Sequence, residues 1–312
     1  MNFLNYLSLF ISDTLLFATP LLFAALGGMF TEKSGVTNIG LEGMMTIGAF
    51  FGATVGYFTK SAILGFIAGG LAGAFVALIH AIVSITFGAD QIVSGIAINF
   101  IGPGVSLFIC SLLFNGAKQT IPVDDGVGKI SKIFSALTGI ENIDRIIGQY
   151  VTTYIAIILV IVMYIYLYKT KYGLRLIAVG EHPKASETLN INVSLYRYFA
   201  VIVSGMLAGF GGATMSLATV SNFTQSLISG HGFIALVAVI FGKWKPHGIL
   251  GACLFFGAAQ ELAILLPMLK VNIPEGIIPM IPYISTLLIL ILFVGKSKAP
   301  SSAGVPYLKL ED

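Results

Sequence analysis

Only 10% of the 312 residues are charged, and the chain has two cysteines, four histidines and a single tryptophan. So little charge excludes an ordinary soluble domain, in which about a quarter of residues are Asp, Glu, Lys or Arg. No Lys or Arg precedes Lys33. The N-terminus therefore lacks the basic region of a secretory signal peptide, and the first apolar run, which continues past Phe30 without a cleavage site, is expected to be retained as a span. Cys110 and Cys253 fall in apolar runs, where thiols act as small hydrophobes, so neither a disulfide nor a redox role is expected. His80, His182, His231 and His247 show no metal-ligand spacing, and no serine, histidine and carboxylate grouping supports a nucleophile. Gly295-Lys296-Ser297 has the ending of a phosphate-binding loop, but Leu290 stands where that loop needs glycine. ATP hydrolysis by that route is not expected, and no cofactor is called for. A net charge of +3 without a basic-aromatic patch gives no reason to expect a nucleic-acid partner.

Hydrophobic residues make up 56% of the chain, and the mean hydropathy is +0.94. Apolar runs approaching twenty residues recur along it, the length a helix needs to cross about 30 Å of hydrocarbon. A β-barrel would alternate apolar and polar residues, and this chain does not. The expected fold is an all-α polytopic membrane protein, read as one transmembrane domain over 1–312. Spans are expected at Leu7 to Phe30, Val36 to Phe58, Ala62 to Phe87, Ile92 to Leu113, Val151 to Tyr168, Tyr198 to Leu217, Ile249 to Leu266 and Ile277 to Val294. Phe233 to Phe241 is too short to cross alone but, bounded by glycines, fits a broken or re-entrant helix. The expected count is eight to ten.

The loop 169–197 holds Lys169, Lys171, Arg175, Lys184 and Arg197 among the 17 basic residues of the chain, which places it in the cytoplasm. Lys243 and Lys245 then also fall inside, and Lys296, Lys298 and Lys309 place the C-terminus there. The loop 115–149 mixes Asp124, Asp125, Glu141 and Asp144 with Lys118, Lys129, Lys132 and Arg145, which suits the exterior. The N-terminus follows to the outside with no charge to anchor it. Asn192-Val193-Ser194 matches a glycosylation site but lies in the cytoplasmic loop and is discounted. Within that loop Pro183 suits a first helical position, Ala185 and Leu189 lie one turn apart, and Asn190 suits a left-handed stop. A helix of about seven residues is marginal alone in water. It is expected to be held by a partner or by its own bundle, the alternative being a solvated loop.

Three stretches carry a family resemblance. Tyr172-Gly173-Leu174-Arg175-Leu176-Ile177-Ala178-Val179-Gly180-Glu181-His182-Pro183-Lys184-Ala185 resembles the coupling loop of permeases in the ribose, nucleoside and branched-chain amino-acid group of ABC importers. Glu32 to Gly43 and Gly230 to Trp244 resemble the nucleoside-type branch of that group, in the family's order. The resemblance implies a vitamin-B12-importer-like permease bundle in a bacterial-type plasma membrane, with no ATPase site of its own. It further implies an ABC ATPase subunit gripping Glu181, His182, Pro183, Lys184, Ala185, Ser186, Thr188 and Leu189, a second and homologous permease, and an extracytoplasmic binding protein that delivers purine or related nucleosides. His182, where an asparagine is common, and Asn190, where a glycine often follows, depart from the family pattern.

Inside the apolar runs, Glu42 and Glu261 stand out, because an ionised side chain at mid-bilayer costs at least about 2.5 kcal/mol. With Asn38, Asn99 and Gln260 they are candidates for a polar path offering weak hydrogen bonds to a small-molecule substrate. The alternative is structural, each carboxyl capping a helix or bonding a neighbouring span. Gly65, Gly69 and Gly73, and Gly205 with Gly209, recur every four residues and are expected to pack helices closely. Gly35 to Gly48 and Gly230 to Gly242 are glycine-bounded segments in opposite halves, an arrangement that often flanks a transport path. The expected function is an importer permease using alternating access. Rivals are cargoes such as sugars, riboflavin or amino acids, and an ion-coupled carrier acting alone.

Overall fold

The computed structural model describes residues 3–123, 129–269, 277–293 and 298–307. Asp124, Asp125, Val294, the Gly295-Lys296-Ser297 stretch and Lys309 lie outside the described residues. An apolar chain in lipid must satisfy its backbone hydrogen bonds within each segment, and helices do this. In chain order they are α1 (Phe3–Glu32), α2 (Leu41–Thr59), α3 (Ala62–Ala81), α4 (Gln91–Leu113), α5 (Glu141–Ile147), α6 (Val151–Lys169), α7 (Lys171–Glu181), α8 (Pro183–Thr188), α9 (Val193–Thr214), α10 (His231–Phe241), α11 (Pro246–Met268) and α12 (Ile281–Phe293). Among the described residues there is no strand, only isolated bridges from Gln119 to Thr224 and from Lys132 to Tyr150. Among the described residues six helices, α1, α3, α4, α6, α9 and α11, are long and apolar enough to cross a membrane, α3 and α9 being extended by π-helical turns at Ile82–Thr86 and Met215–Thr219.

Several expected boundaries move, each for a local reason. The span expected from Val36 starts as α2 at Leu41, because Gly35 is left-handed (φ +87°) and Asn38 Oδ1 accepts the Gly40 N–H at 3.0 Å, holding 33–40 in turns. The span expected from Tyr198 starts at Val193, where Asn192 accepts the Leu195 N–H at 3.0 Å as an N-cap. Pro246 occupies the first turn of α11, earlier than the expected Ile249. The 169–197 loop is mostly helical: Thr170 caps α7, which buries Gly173, Leu176, Val179 and Gly180 along one face. Arg197, expected as a loop charge, is a buried residue of α9.

α1 runs through the bundle and packs on α9, α11, α10 and α6. One of its ends meets the 115–149 region, where Ser8 bonds Asn142 at 3.0 Å and Gln149 bonds Ser12 at 3.0 Å. The other end, at Glu32, receives the Trp244 indole N–H. The chain from 220 to 244 therefore passes from one end of the bundle to the other. Its first half is irregular, with the Ser221 carbonyl accepting from Val123 at 2.7 Å, and its second half is α10.

The glycine stripes meet as expected. A Cβ on Gly69 would lie 2.7 Å from both the Gly48 carbonyl oxygen and Ala213 Cβ, and one on Gly209 would collide with the Gly69 carbonyl, so α2, α3 and α9 touch backbone to backbone. Overpacking such a contact costs about 1–3 kcal/mol. Gly209→Ala is expected to lower the membrane level and the thermal aggregation temperature in detergent. Gly104→Ala on α4, where a Cβ would meet nothing within 4 Å, leaves both unchanged.

Candidate functional site

Two places hold the candidate residues. The first is a polar junction where α2 and α10 begin. Gly230 is left-handed (φ +93°) and turns the chain into α10. Glu42 Oε1 accepts the Gly230 N–H at 2.6 Å, and Oε2 accepts the Gly232 N–H at 2.7 Å. One carboxylate thus satisfies amides that the helix itself leaves orphaned, at the end where the dipole favours negative charge. A Cβ on Gly232 would lie 2.5 Å from Glu42 Cα, so glycine is required there. The two glycine-bounded segments seen in the sequence are in direct contact.

From α4, Asn99 accepts the Gly43 N–H at 2.9 Å and donates to the Ile39 carbonyl at 2.9 Å, fastening the start of α2. Asn38 is fully buried, and it donates to Ser204 Oγ of α9 at 3.0 Å while holding the Gly40 amide. His231 of α10 donates to or accepts from neither carboxyl oxygen of Glu42 directly; its Nδ1 pairs with the Ile228 carbonyl, and Gln260 of α11 lies beside its ring. Glu42, His231 and Gln260 therefore gather around one helix entry, Glu42 and Gln260 half-buried and His231 buried. Glu261 stands apart from them. It is 0% exposed, and both its carboxyl oxygens lack a hydrogen-bond partner among the described residues. Gly257, one turn earlier on α11, faces α1, where a Cβ would lie 2.5 Å from the Thr14 carbonyl.

The second place is the α7–α8 hairpin. Pro183 begins α8, the Ser186 hydroxyl turns back to the His182 carbonyl at 3.0 Å, and Thr188 Oγ1 donates to the Ala185 carbonyl at 2.9 Å. Asn190 takes the left-handed conformation (φ 58°) and donates to the Glu187 carbonyl at 2.8 Å, closing the helix without a glycine. Lys184, Ala185, Thr188 and Leu189 are exposed, Leu189 at 75%, while Ser186 is buried against the hairpin. Gly180 packs against the α1–α2 connection, where a Cβ would lie 2.9 Å from the Lys33 carbonyl carbon. Burial there lowers the pKa of the Lys33 amine, against the opposing pull of the Glu181 charge. The hairpin therefore presents outward a mixed tip, with Leu189 and Ala185 flanked by Lys184 and Thr188, and makes a tight backbone contact inward.

Residues 10–295 match a protein family described as the permease component of branched-chain amino acid transport systems. The chain belongs to this permease family. It is 45% identical, over 99% of both chains, to the guanosine ABC transporter permease protein NupQ of Bacillus subtilis. Identity to the nucleoside ABC transporter permease protein NupC of Lactococcus lactis is 38% over 99% of both chains. A putative glucose ABC transporter permease protein of Haloferax volcanii, TsgC13, is 33% identical over 78% of this chain and 74% of its own length. No solved structure matches.

Seen as a permease, the chain holds functional candidates that its sequence did not single out. His231 closes the turn beside Glu42, and its one signal was its position between two glycines at a helix entry. Arg197 sits in the α9 wall behind the hairpin, and nothing in its sequence neighbourhood distinguishes it from the loop's exposed cations.

Proposed function

We propose that this permease is the membrane-spanning subunit of an ATP-driven importer of nucleosides, with purine nucleosides as cargo, and that it works by alternating access. The observation that carries this reading is similarity over nearly the whole chain to permeases named for guanosine and nucleoside transport. An ABC ATPase subunit, which supplies the nucleotide site this chain does not, grips the segment formed by Glu181, His182, Pro183, Lys184, Ala185, Ser186, Thr188 and Leu189, meeting it first at the exposed His182, Lys184, Ala185, Thr188 and Leu189 while the buried Ser186 braces the helix from within. A homologous second permease completes the pore, and an extracytoplasmic binding protein delivers the cargo.

The chain crosses the membrane nine times in this reading, within the eight to ten expected. The crossings are α1, α2, α3, α4, α6, α9, the broken segment ending in α10, α11 and α12. An odd count leaves the N-terminus outside and the C-terminus in the cytoplasm, and the contact of 301–302 with the hairpin supports it. The arrangement is vitamin-B12-importer-like, in a bacterial-type plasma membrane. Glu42, Asn99 and Gln260, half-buried at the α2–α10 junction, line the substrate path, with Asn38 and Glu261 set into the wall behind. Differential contact of the ATPase with α8 in its two nucleotide states shifts the equilibrium between outward and inward openings.

Co-purification of the permease with its partners, followed by ATP hydrolysis in liposomes, tests this. Guanosine or another nucleoside is expected to stimulate hydrolysis in the presence of the binding protein. Stimulation by glucose instead would favour the cargo of the Haloferax relative, and uptake without any ATPase would overturn the reading in favour of an ion-coupled carrier.

A further inference from the structure

The segment 300–307 folds back onto the hairpin, and it does so around a buried cation. Arg197 is 1% exposed, and among the described residues no carboxylate forms an ion pair with it. Its Nη1 donates to the Val305 carbonyl at 3.3 Å, its Nη2 donates to Ser302 Oγ at 3.4 Å, and its guanidinium lies 5.6 Å from the centre of the Tyr307 ring. A buried guanidinium without partners is costly. Here the C-terminal segment supplies acceptors for Nη1 and Nη2 and an aromatic face, while Nε has no partner among the described residues.

The same few residues reach three other elements. Ser302 donates to the Gly180 carbonyl through its amide at 3.0 Å and its hydroxyl at 2.6 Å, and Ser301 Oγ donates to Glu181 at 2.8 Å. Tyr307 lies beside Glu187 of α8; burial, with that carboxylate adding to it, pushes the Tyr307 phenol up to about 12. Toward the bundle, a Cβ on Gly35 would lie 2.9 Å from Arg197 Nη2 and still closer to Ser302 Oγ. One short segment therefore touches the hairpin, the foot of α9 and the connection that leads through Asn38 to Glu42. At six residues, α8 is too short to hold its own shape.

We propose that the C-terminal segment is a tie, anchored by Arg197 as a positioning residue, that holds α8 rigidly to the α1–α2 connection so that motion of α8 is transmitted into the bundle. This rests on the reading of α8 as the ATPase contact. Without the tie, α8 still meets the ATPase but rocks without carrying the α1–α2 connection, and hydrolysis proceeds with less transport.

The test compares the full chain, a chain ending at Ala299, Arg197→Gln and Arg197→Lys, each assembled with its ATPase, second permease and binding protein in liposomes. Assembly, basal ATP hydrolysis and guanosine moved per ATP are measured. The truncated chain and R197Q are expected to assemble and hydrolyse ATP normally, with guanosine moved per ATP reduced about fivefold or more, the lower range of a coupling free energy. R197K, which keeps the charge on a single donor nitrogen, recovers part of the ratio. A purely structural role predicts lower assembly with an unchanged ratio per assembled complex, and that result overturns the proposal. Should the truncated chain not reach the membrane, R197Q and R197K decide by the same ratio. If the full chain recruits no ATPase, the parent reading fails and the tie with it; if it does and the ratio is unmoved, only the tie fails.

Discussion

Guanosine uptake by the Glu42→Gln variant is expected to fall about tenfold or more while the chain remains in the membrane. The carboxylate accepts the Gly230 and Gly232 amides with its two oxygens, at 2.6 and 2.7 Å. Glutamine keeps one acceptor and turns an N–H toward the other amide, leaving a half-buried donor unpaired at a cost of about 1–3 kcal/mol. About 1.4 kcal/mol is already a factor of ten in an equilibrium constant. Because the lost contact joins the starts of α2 and α10 rather than filling the core, the penalty falls on the relative position of two helix entries. Glu42→Ala removes both acceptors and has the larger effect, and Glu42→Asp, one methylene shorter, cannot serve both amides. Radiolabelled guanosine uptake normalised to membrane level is the measurement. Full uptake by the glutamine variant would show that the paired contact is dispensable, and parallel loss of protein and uptake would assign Glu42 to structure alone.

The second large effect concerns α8. Replacing 183–188 with a Gly-Ser segment of the same length is expected to abolish both ATPase co-purification and uptake, with insertion unchanged. The expectation rests on how little the transmembrane helices depend on α8, whose main packing among the described helices is on α7 and, more weakly, on α9. Leu189→Asp separates docking from folding. At 75% exposure the leucine contributes almost nothing to a lone chain, so an exposed charge there is harmless to it. At a protein interface, a desolvated anchor carries more than about 2 kcal/mol, and ATPase retention in detergent is expected to drop at least tenfold. Normal retention by this variant would move the contact surface away from the tip of the hairpin.

Much of the architecture was readable from composition and spacing, because lipid leaves a chain few choices. Apolar runs of the right length become helices, and every-fourth glycines became the contacts among α2, α3 and α9. Short-range capping was legible too: Pro183 starts α8 and Asn190 stops it. The amphipathic α7 was missed because its buried stripe of Gly173, Leu176, Val179 and Gly180 contains only two large apolar residues. The start of α2 was placed five residues early because Val36 and Ile39 are apolar, yet the Asn38 side chain and left-handed Gly35 keep that stretch in turns.

What the sequence determined by itself was whatever depends on neighbours along the chain: membrane class, most of the helical segments, the short helix at Pro183 and the family motifs. Which polar side chains meet was decided only by tertiary structure, since Glu42 and Gly230 are 188 residues apart and Arg197 and Val305 are 108 apart. A carboxylate's partner in a membrane bundle depends on which helix faces it, and periodicity carries no information about that. The same limit explains why Glu42 and Glu261, alike in sequence, end in different surroundings, one holding two amides and the other buried without a hydrogen-bond partner among the described residues.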